Sequence, residues 1–266
     1  MREYRTEQIR NIGIIAHSGA GKTSLVEAML YNGRTIQKMG EVDQGNTVAD
    51  YSPDEIERKT TINCSMCRAE WSEHKLNIMD TPGADDLYGD LESVLRVSDA
   101  LVVVIDATTG VEAGTEKVWE VADRYNLPRL IFINKMDKEN ANFENALASV
   151  EDILEIRTSA IQLPIGREGT FTGVVDFVQM AAFTQPEGNK PVEKSEIPTE
   201  LESQAEESRE QLVEVAAEGD DELIEKFFDG NLTDEEISTG LQAGIASGQI
   251  VPVLCGSALK NIGIQQ

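Results

Sequence analysis

The stretch Ala16-His17-Ser18-Gly19-Ala20-Gly21-Lys22-Thr23 constrains this chain more than any other part of it. It follows a short apolar run, Asn11–Ala16 (NIGIIA), that reads as a buried strand. It leads into Lys22–Tyr31 (KTSLVEAMLY), where apolar residues recur at helical spacing. A strand, a glycine-bearing loop and a helix opening with Gly-Lys-Thr place backbone N–H groups and a helix N-terminus around an anion. Gly21 has no Cβ to hold the backbone away from that anion. Lys22 offers a point charge to β- and γ-phosphates, and the Thr23 hydroxyl offers a ligand for Mg2+. The loop opens with Ala16 where the strictest pattern has Gly, which is harmless if Ala16 keeps a negative φ. Such a string arises by chance in roughly 2% of chains of this length, so the other motifs decide.

Those motifs follow in a fixed order. Lys75–Asp80 (KLNIMD) reads as a strand that delivers Asp80 at its carboxyl end, where a carboxylate can hold a metal-bound water. Thr81-Pro82-Gly83 follows, and the Gly83 N–H can meet a γ-phosphate oxygen that exists only in the triphosphate state. Upstream, Val42–Thr60 is polar and reads as a mobile loop that orders when Thr61 reaches the metal. Taken alone, Thr61 is equally well an ordinary residue opening a strand. Pro128–Ile133 (PRLIFI) is a β-rich run ending at Asn134-Lys135-Met136-Asp137. Asp137 can accept hydrogen bonds from guanine N1–H and its exocyclic amine, a pair that adenine does not offer. The Lys135 stem can lie on the base face, and Asn134 can brace neighbouring loops. After an expected strand at Gln249–Leu254, the N–H groups of Ser257, Ala258 and Leu259 can donate to guanine O6.

The expected nucleotide-contacting residues are therefore Ala16, His17, Ser18, Gly19, Ala20, Gly21, Lys22, Thr23, Ser24, Asp80, Thr81, Pro82 and Gly83. At the base end they are Asn134, Lys135, Met136, Asp137, Ser257, Ala258 and Leu259. The expected ligands are GTP or GDP with Mg2+, the metal held by Thr23, Thr61 and, through water, Asp80. For hydrolysis the positions that matter are Lys22, Thr61 and Gly83.

Strands alternating with helices predict an α/β fold, a P-loop GTPase with a mostly parallel sheet and helices on both faces. In such sheets ligands bind beyond the carboxyl ends of the strands. Ile161–Gln185 changes to hairpin-like text, with Thr170–Val178 and Met180–Thr184 as paired strands, and Gln185–Pro198 is a connector. Glu200–Ala217, Asp220–Phe228 and Thr233–Ala246 then read as helices, the last with a capping box of Thr233 and Glu236. This block is longer than a strand–helix–strand crossover needs, so it predicts an inserted α+β subdomain. The expected division is residues 1–157 and 248–266 for the nucleotide-binding domain and 158–247 for the insert. Asn261–Gln266 falls where a final helix is expected to begin, so a truncated chain or a longer native protein is anticipated.

Formal net charge is −25, from 23 basic and 48 acidic residues, which disfavours non-specific nucleic-acid binding by phosphate neutralisation. Much of the excess lies in Glu193–Glu236. It reads as a solvated helical face, with a docking surface for a protein partner as the sharper alternative. No apolar run is long enough for a membrane helix and the N-terminus lacks a signal core, so a cytoplasmic monomer is expected. Cys64, Cys67 and Cys255 are too few for a disulfide framework. Thr61–Trp71 reads as a strand, which would turn Cys64 and Cys67 to opposite faces, so structural thiols are expected.

Ala16–Ser24 (AHSGAGKTS) resembles the phosphate loop of translational GTPases of the elongation factor G family, and Glu57–Ile62 (ERKTTI) is similar to their first switch. Gly110–Asp137 resembles the guanine-recognition half, and the likeness continues through Leu163–Phe183 and Val251–Gln265. The variant motifs look most like the elongation factor G-2 or G-like branch. The resemblance implies GTP hydrolysis on the ribosome, with contacts to ribosomal RNA and, through the insert, to the stalk proteins. It also marks three departures. Ala84 stands where the family has a water-positioning His, Gly19 where it usually has Asp, and Lys59-Thr60 where Gly-Ile is usual. These leave nucleotide binding intact and put hydrolysis in question. A nucleotide-gated ribosome-binding module with weak or no turnover is the second reading, and a recycling or ribosomal protection factor the third.

Overall fold

A computed structural model of the chain describes residues 3–84, 88–186, 191–218, 220–229 and 232–265. Part of the expected connector, residues 187–190, and the terminal Gln266 lie outside that set. The main sheet has seven strands, in chain order β1 (Ile9–Ile15), β2 (Ser65–Trp71), β3 (His74–Asp80), β4 (Ala100–Asp106), β5 (Arg129–Asn134), β6 (Thr158–Ala160) and β11 (Val251–Cys255). Their spatial order is β2-β3-β1-β4-β5-β11-β6. Every neighbouring pair is parallel except the β2–β3 hairpin, which runs antiparallel from Ser65↔Asp80 to Trp71↔His74.

Parallel strands covered on both faces read as near-continuous apolar runs, and β4 (ALVVVID) is one up to Asp106 at its carboxyl end. Leu101, Val103 and Ile105 join Ile15 in one core with Leu91 and Leu95 of α3 (Tyr88–Leu95). The same core takes Val118 and Trp119 of α4 (Ala113–Asp123) and Phe143 and Val150 of α5 (Phe143–Leu154). Val102, Val104 and Ile14 face the other way, against Leu25, Val26 and Leu30 of α1 (Lys22–Asn32). The strand period of two thus feeds two cores from one run of residues.

The chain leaves this sheet at a single residue. Thr158–Ala160 pairs with β11, and Gln162–Ile165 (β7) opens a second sheet. Ile161 between them donates to Val253 O at 3.1 Å and accepts from Phe177 N at 3.1 Å, so it is bonded into both. β8 (Gly173–Asp176), β9 (Ala181–Thr184) and β10 (Glu193–Ser195) complete a four-stranded antiparallel sheet ordered β10-β9-β8-β7. Its core of Leu163, Val175 and Phe177 is closed by Ala205 and Leu212 of α6 (Thr199–Ala217) and by Ile237 and Leu241 of α8 (Asp234–Ala246). α7 (Asp221–Phe228) links those two helices. The capping box of Thr233 and Glu236 forms at the start of α8.

Two expectations need correction. The strand around the paired cysteines starts at Ser65, so Cys64 precedes it and donates its N–H to Asp90 Oδ2 at 3.0 Å. Cys64, Cys67 and Cys255 are all free thiols. Burial pushes both Cys64 and Cys67 up to about 11, which leaves them protonated and unreactive at neutral pH. The segment read as a mobile polar loop instead carries a 3-10 turn at Val42–Gln44 and helix α2 (Pro53–Arg58). Ser52 and Glu55 form a capping box on α2, with Pro53 at its first position.

Candidate functional site

Ala16–Thr23 connects the carboxyl end of β1 to α1. Gly19 and Gly21 adopt φ of +85° and +96°, and Ala16 does not adopt positive φ, as the loop requires. A Cβ on Gly21 would collide with Asn134 Nδ2, so only glycine fits. Lys22 is buried, and its Nζ donates to His17 O at 3.0 Å and Ala16 O at 3.3 Å. Gly83 closes on this loop: a Cβ there would collide with Lys22 Nζ and lie 2.9 Å from Ser18 N. Thr81, also buried, donates to Ile14 O at 2.7 Å and fixes the turn through Pro82. Ala84 is exposed at the end of that turn.

Three oxygen ligands expected for a metal converge. Thr23 Oγ1 donates to Asp80 Oδ2 at 2.7 Å and lies 2.9 Å from Thr61 Oγ1, with all three residues buried. Adjacent ligands of an octahedral Mg2+ with ~2.1 Å bonds lie about 3.0 Å apart, so the two threonine hydroxyls already have that spacing. Asp80 Oδ1 is buried without a partner among the described residues. Both oxygens of Asp50 are likewise buried without a hydrogen bond there, with Thr61 as the neighbouring donor. A divalent cation suits this donor set and would relieve the orphaned oxygens. Burial raises the Asp80 carboxyl to about 7 and raises Asp50, while it lowers the Lys22 ammonium to about 8. Sequence reasoning misses Asp50. A lone Asp in a polar stretch carries no signal until its burial beside Thr61 is seen.

Thr61 is delivered by buried carboxylates. Glu27 on α1 accepts from Gly40 N at 2.8 Å and Val48 N at 2.5 Å. Glu55 accepts from Ile62 N at 3.1 Å and Asn63 N at 3.0 Å through one oxygen, and from Ser52 N at 3.1 Å through the other. Burial alone would raise the Glu55 carboxyl, but the Asn63, Ile62 and Ser52 donors hold it below its ordinary value. A Glu55→Gln substitution would set an amide donor against one of these N–H groups, at a cost of about 2 kcal/mol. We expect faster amide exchange at Ile62 and Asn63 and weaker metal retention, measured by hydrogen exchange and Mg2+ titration.

At the other end, Asn134 is buried and braces two loops. Its Nδ2 donates to Ala20 O at 2.9 Å, and its Oδ1 accepts from Ala258 N at 2.9 Å. Lys135 Nζ pairs with Asp106 Oδ2 at 2.6 Å, while Thr108 N and Oγ1 hold the other oxygen at 2.9 and 2.7 Å. Burial would raise the Asp106 carboxyl, but Lys135 and Thr108 bring it below its usual value. Met136 is buried and its N–H donates to Gly256 O at 3.1 Å. Asp137 is half-buried, and its carboxylate has no hydrogen-bond or ion-pair partner among the described residues. The three N–H groups expected to meet O6 are not equivalent. Ser257 N donates to Ile262 O at 2.9 Å and Ala258 N to Asn134, which leaves the N–H of Leu259 for a ligand.

The His17 side chain does not line the loop cavity and packs toward α4. Its Nδ1 lies 3.0 Å from Thr115 Oγ1 and its Nε2 3.2 Å from Glu112 Oε1, and burial lowers its pKa against the pull of Glu112. His74 sits at the far end of β3 and bonds Ser72 O. Neither imidazole replaces one at position 84. Ser18, Gly19, Gly21, Ser24, Thr60 and Gly83 line a cavity of about 190 Å³ with Lys22, Lys59 and Asp50. A larger groove of about 990 Å³ lies between the end of α1, Trp71 and Lys260; of the expected site residues only Leu259 borders it, so the chemistry is not there. Among the described residues no helix is long and apolar enough to cross a membrane.

The profile of the family described as elongation factor Tu GTP binding domain matches residues 7–266. The chain is also similar to the crystal structure of a protein from Thermus thermophilus, with a TM-score of 0.89 and 29% sequence identity. That likeness covers 97% of this chain and 38% of the Thermus protein, so the chain spans less than two fifths of that relative's length.

Proposed function

The chain belongs to the elongation factor Tu-type GTP-binding domain family, and from that premise we propose that it is the nucleotide-binding part of an elongation factor G-like translation factor. Membership itself implies guanine-nucleotide binding, in a family whose members are generally GTPases. On our reading the chain binds GTP with Mg2+ and hydrolyses it to GDP and phosphate on the ribosome. Residues 1–157 and 248–266 hold the nucleotide, with β6 (Thr158–Ala160) as the edge strand of their sheet, and the rest of 158–247 forms the insert that meets protein partners such as the stalk. The observation that carries the reading is the meeting of Thr23, Thr61 and Asp80 at one end of a loop that Asn134 braces at the other.

In hydrolysis the water oxygen bonds to the γ-phosphorus as the bond to the β–γ bridging oxygen breaks. That oxygen keeps the electron pair on GDP, and both protons of the water leave with inorganic phosphate as H2PO4−. Lys22 turns from its loop carbonyls to the β/γ oxygens, and the Gly83 N–H meets the γ-phosphate. Thr23, Thr61 and, through water, Asp80 would hold Mg2+, with Asp50 buried beside Thr61, and the ion would supply charge neutralisation at those oxygens. Asp137 accepts from the guanine edge, and the Leu259 N–H serves O6. Position 84 itself cannot orient the water, because the Ala84 methyl neither donates nor accepts.

The test is steady-state GTP hydrolysis by the intact protein with and without ribosomes. Strong stimulation supports an enzyme completed by its partner. GTP binding without stimulation supports the alternative, a nucleotide-gated ribosome-binding module, which the exposed Ala84 favours. ATP binding as tight as GTP binding would overturn both. Ala84→His is expected to raise the ribosome-stimulated rate by about a hundredfold or more, within the usual range for one positioned acid–base group.

A further inference from the structure

Three lysines line the phosphate cavity, and two are held by the fold. Lys135 is paired with Asp106 at 2.6 Å, and Lys22 is buried on the loop carbonyls of Ala16 and His17. Lys59 is different. Among the described residues its one ion pair is with Asp43 at 3.7 Å, between side chains 54% and 89% exposed. An ion pair so open to water holds neither partner firmly. The backbone beneath it is fixed nonetheless. Lys59 caps the C-terminus of α2 at φ 53°, ψ 43°, the left-handed region where glycine is the residue without steric cost. It stands two residues before Thr61, on the segment that Glu55 pins over the cavity. Gly19 and Gly83 on the same cavity carry no side chain, and Gly19 has no atom within 4 Å of where a Cβ would stand, so a lysine stem has room.

We propose that Lys59 is a second phosphate-binding cation, whose ammonium leaves Asp43 for the terminal phosphate of guanosine triphosphate and returns when that phosphate is lost. The inference rests on the preceding reading of the cavity as a GTP site. It gives the first-switch segment a charge contact that only the triphosphate supplies, alongside the hydroxyl of Thr61. The segment's position then reports the nucleotide through Lys59 as well as through the metal. The contact is half exposed, so it weakens with salt.

Binding of GDP and of a non-hydrolysable GTP analogue to the full chain tests this, in wild type, Lys59→Gly and Lys59→Arg, at low and high salt. Lys59→Gly is expected to weaken the analogue by about tenfold and to leave GDP within about twofold. Lys59→Arg should keep the wild-type preference, and at high salt the preference should shrink in both of these but not in Lys59→Gly. Glycine suits the left-handed backbone, so loss of folding does not confuse the result. Equal weakening of both nucleotides, or no change in either, overturns the role of Lys59. Failure of wild type to bind either nucleotide overturns the GTP-site reading itself.

Discussion

In an Asp137→Asn variant, affinity for GTP and GDP should fall by about a hundredfold or more, and binding of xanthosine nucleotides should appear. The Asp137 carboxylate is an acceptor at both oxygens and has no protein partner among the described residues. Guanine presents two donors side by side, N1–H and the exocyclic amine, so carboxylate and base edge match. Asparagine keeps one acceptor and replaces the other with a donor, which would face the exocyclic amine. Xanthine carries a carbonyl oxygen at that place and restores the match. The phosphate end should be unaffected, because Asn134 and Lys135 are held by Ala20, Ala258 and Asp106 and not by Asp137. Competition between GDP and xanthosine diphosphate for a fluorescent nucleotide, at fixed Mg2+, reads the exchange directly. Unchanged guanine affinity would remove Asp137 from the base site.

The parts of this site legible in the sequence are those whose chemistry is carried by a short contiguous string. Ala16–Thr23, Asp80–Gly83 and Asn134–Asp137 each sit at the carboxyl end of a parallel strand, and apolar runs announce those strands. The helices of the insert are legible for a similar reason: Thr233 and Glu236 spell a capping box, and the apolar residues keep helical spacing. What escapes is polar and buried. Glu27, Asp50, Glu55 and Asp106 look like solvated residues in sequence, since charge predicts exposure until a partner is known. That is why Val42–Thr60 reads as a mobile loop, although two carboxylates pin its backbone N–H groups. One signal is present: Ser52-Pro53-Asp54-Glu55 is a capping box with proline at the first helical position, enough to place α2. That the N–H groups of Ser257 and Ala258 are already engaged cannot be read at all, because their acceptors depend on a turn closed by Ile262 and on the buried Asn134.

Stripped of metal and nucleotide, the protein should lose stability as pH rises from about 4 to 7, and Asp80→Asn should remove much of that loss. Asp80 is fully buried, with Oδ2 on Thr23 and Oδ1 without a partner among the described residues, and burial raises its carboxyl from 3.8 to about 7 against the pull of Lys22 and Thr23. The folded chain therefore keeps a proton between those values that the unfolded chain has released. Its stabilising contribution is complete below the unfolded pKa and is lost as pH climbs through the folded one. A carboxyl raised that far contributes about 4 kcal/mol as an upper bound. Lys22 acts on the alkaline side. Burial lowers it from 10.5 to about 8, so the cost of its buried charge is full below 8 and is relieved as pH rises toward 10.5. The ligand-free protein should thus be least stable near pH 7 to 8, where a divalent cation and a nucleotide would find both groups charged. Self-repulsion in a chain of net charge −25 also lowers stability as carboxylates ionise, so the difference between wild type and Asp80→Asn is the quantity to follow. Urea denaturation in EDTA across this pH range gives it, and the same series with Mg2+ and GDP should fill the trough in wild type far more than in the variant. Parallel wild-type and variant profiles in EDTA would mean that Asp80 is already ionised without the metal, and that its orphaned oxygen is satisfied by water.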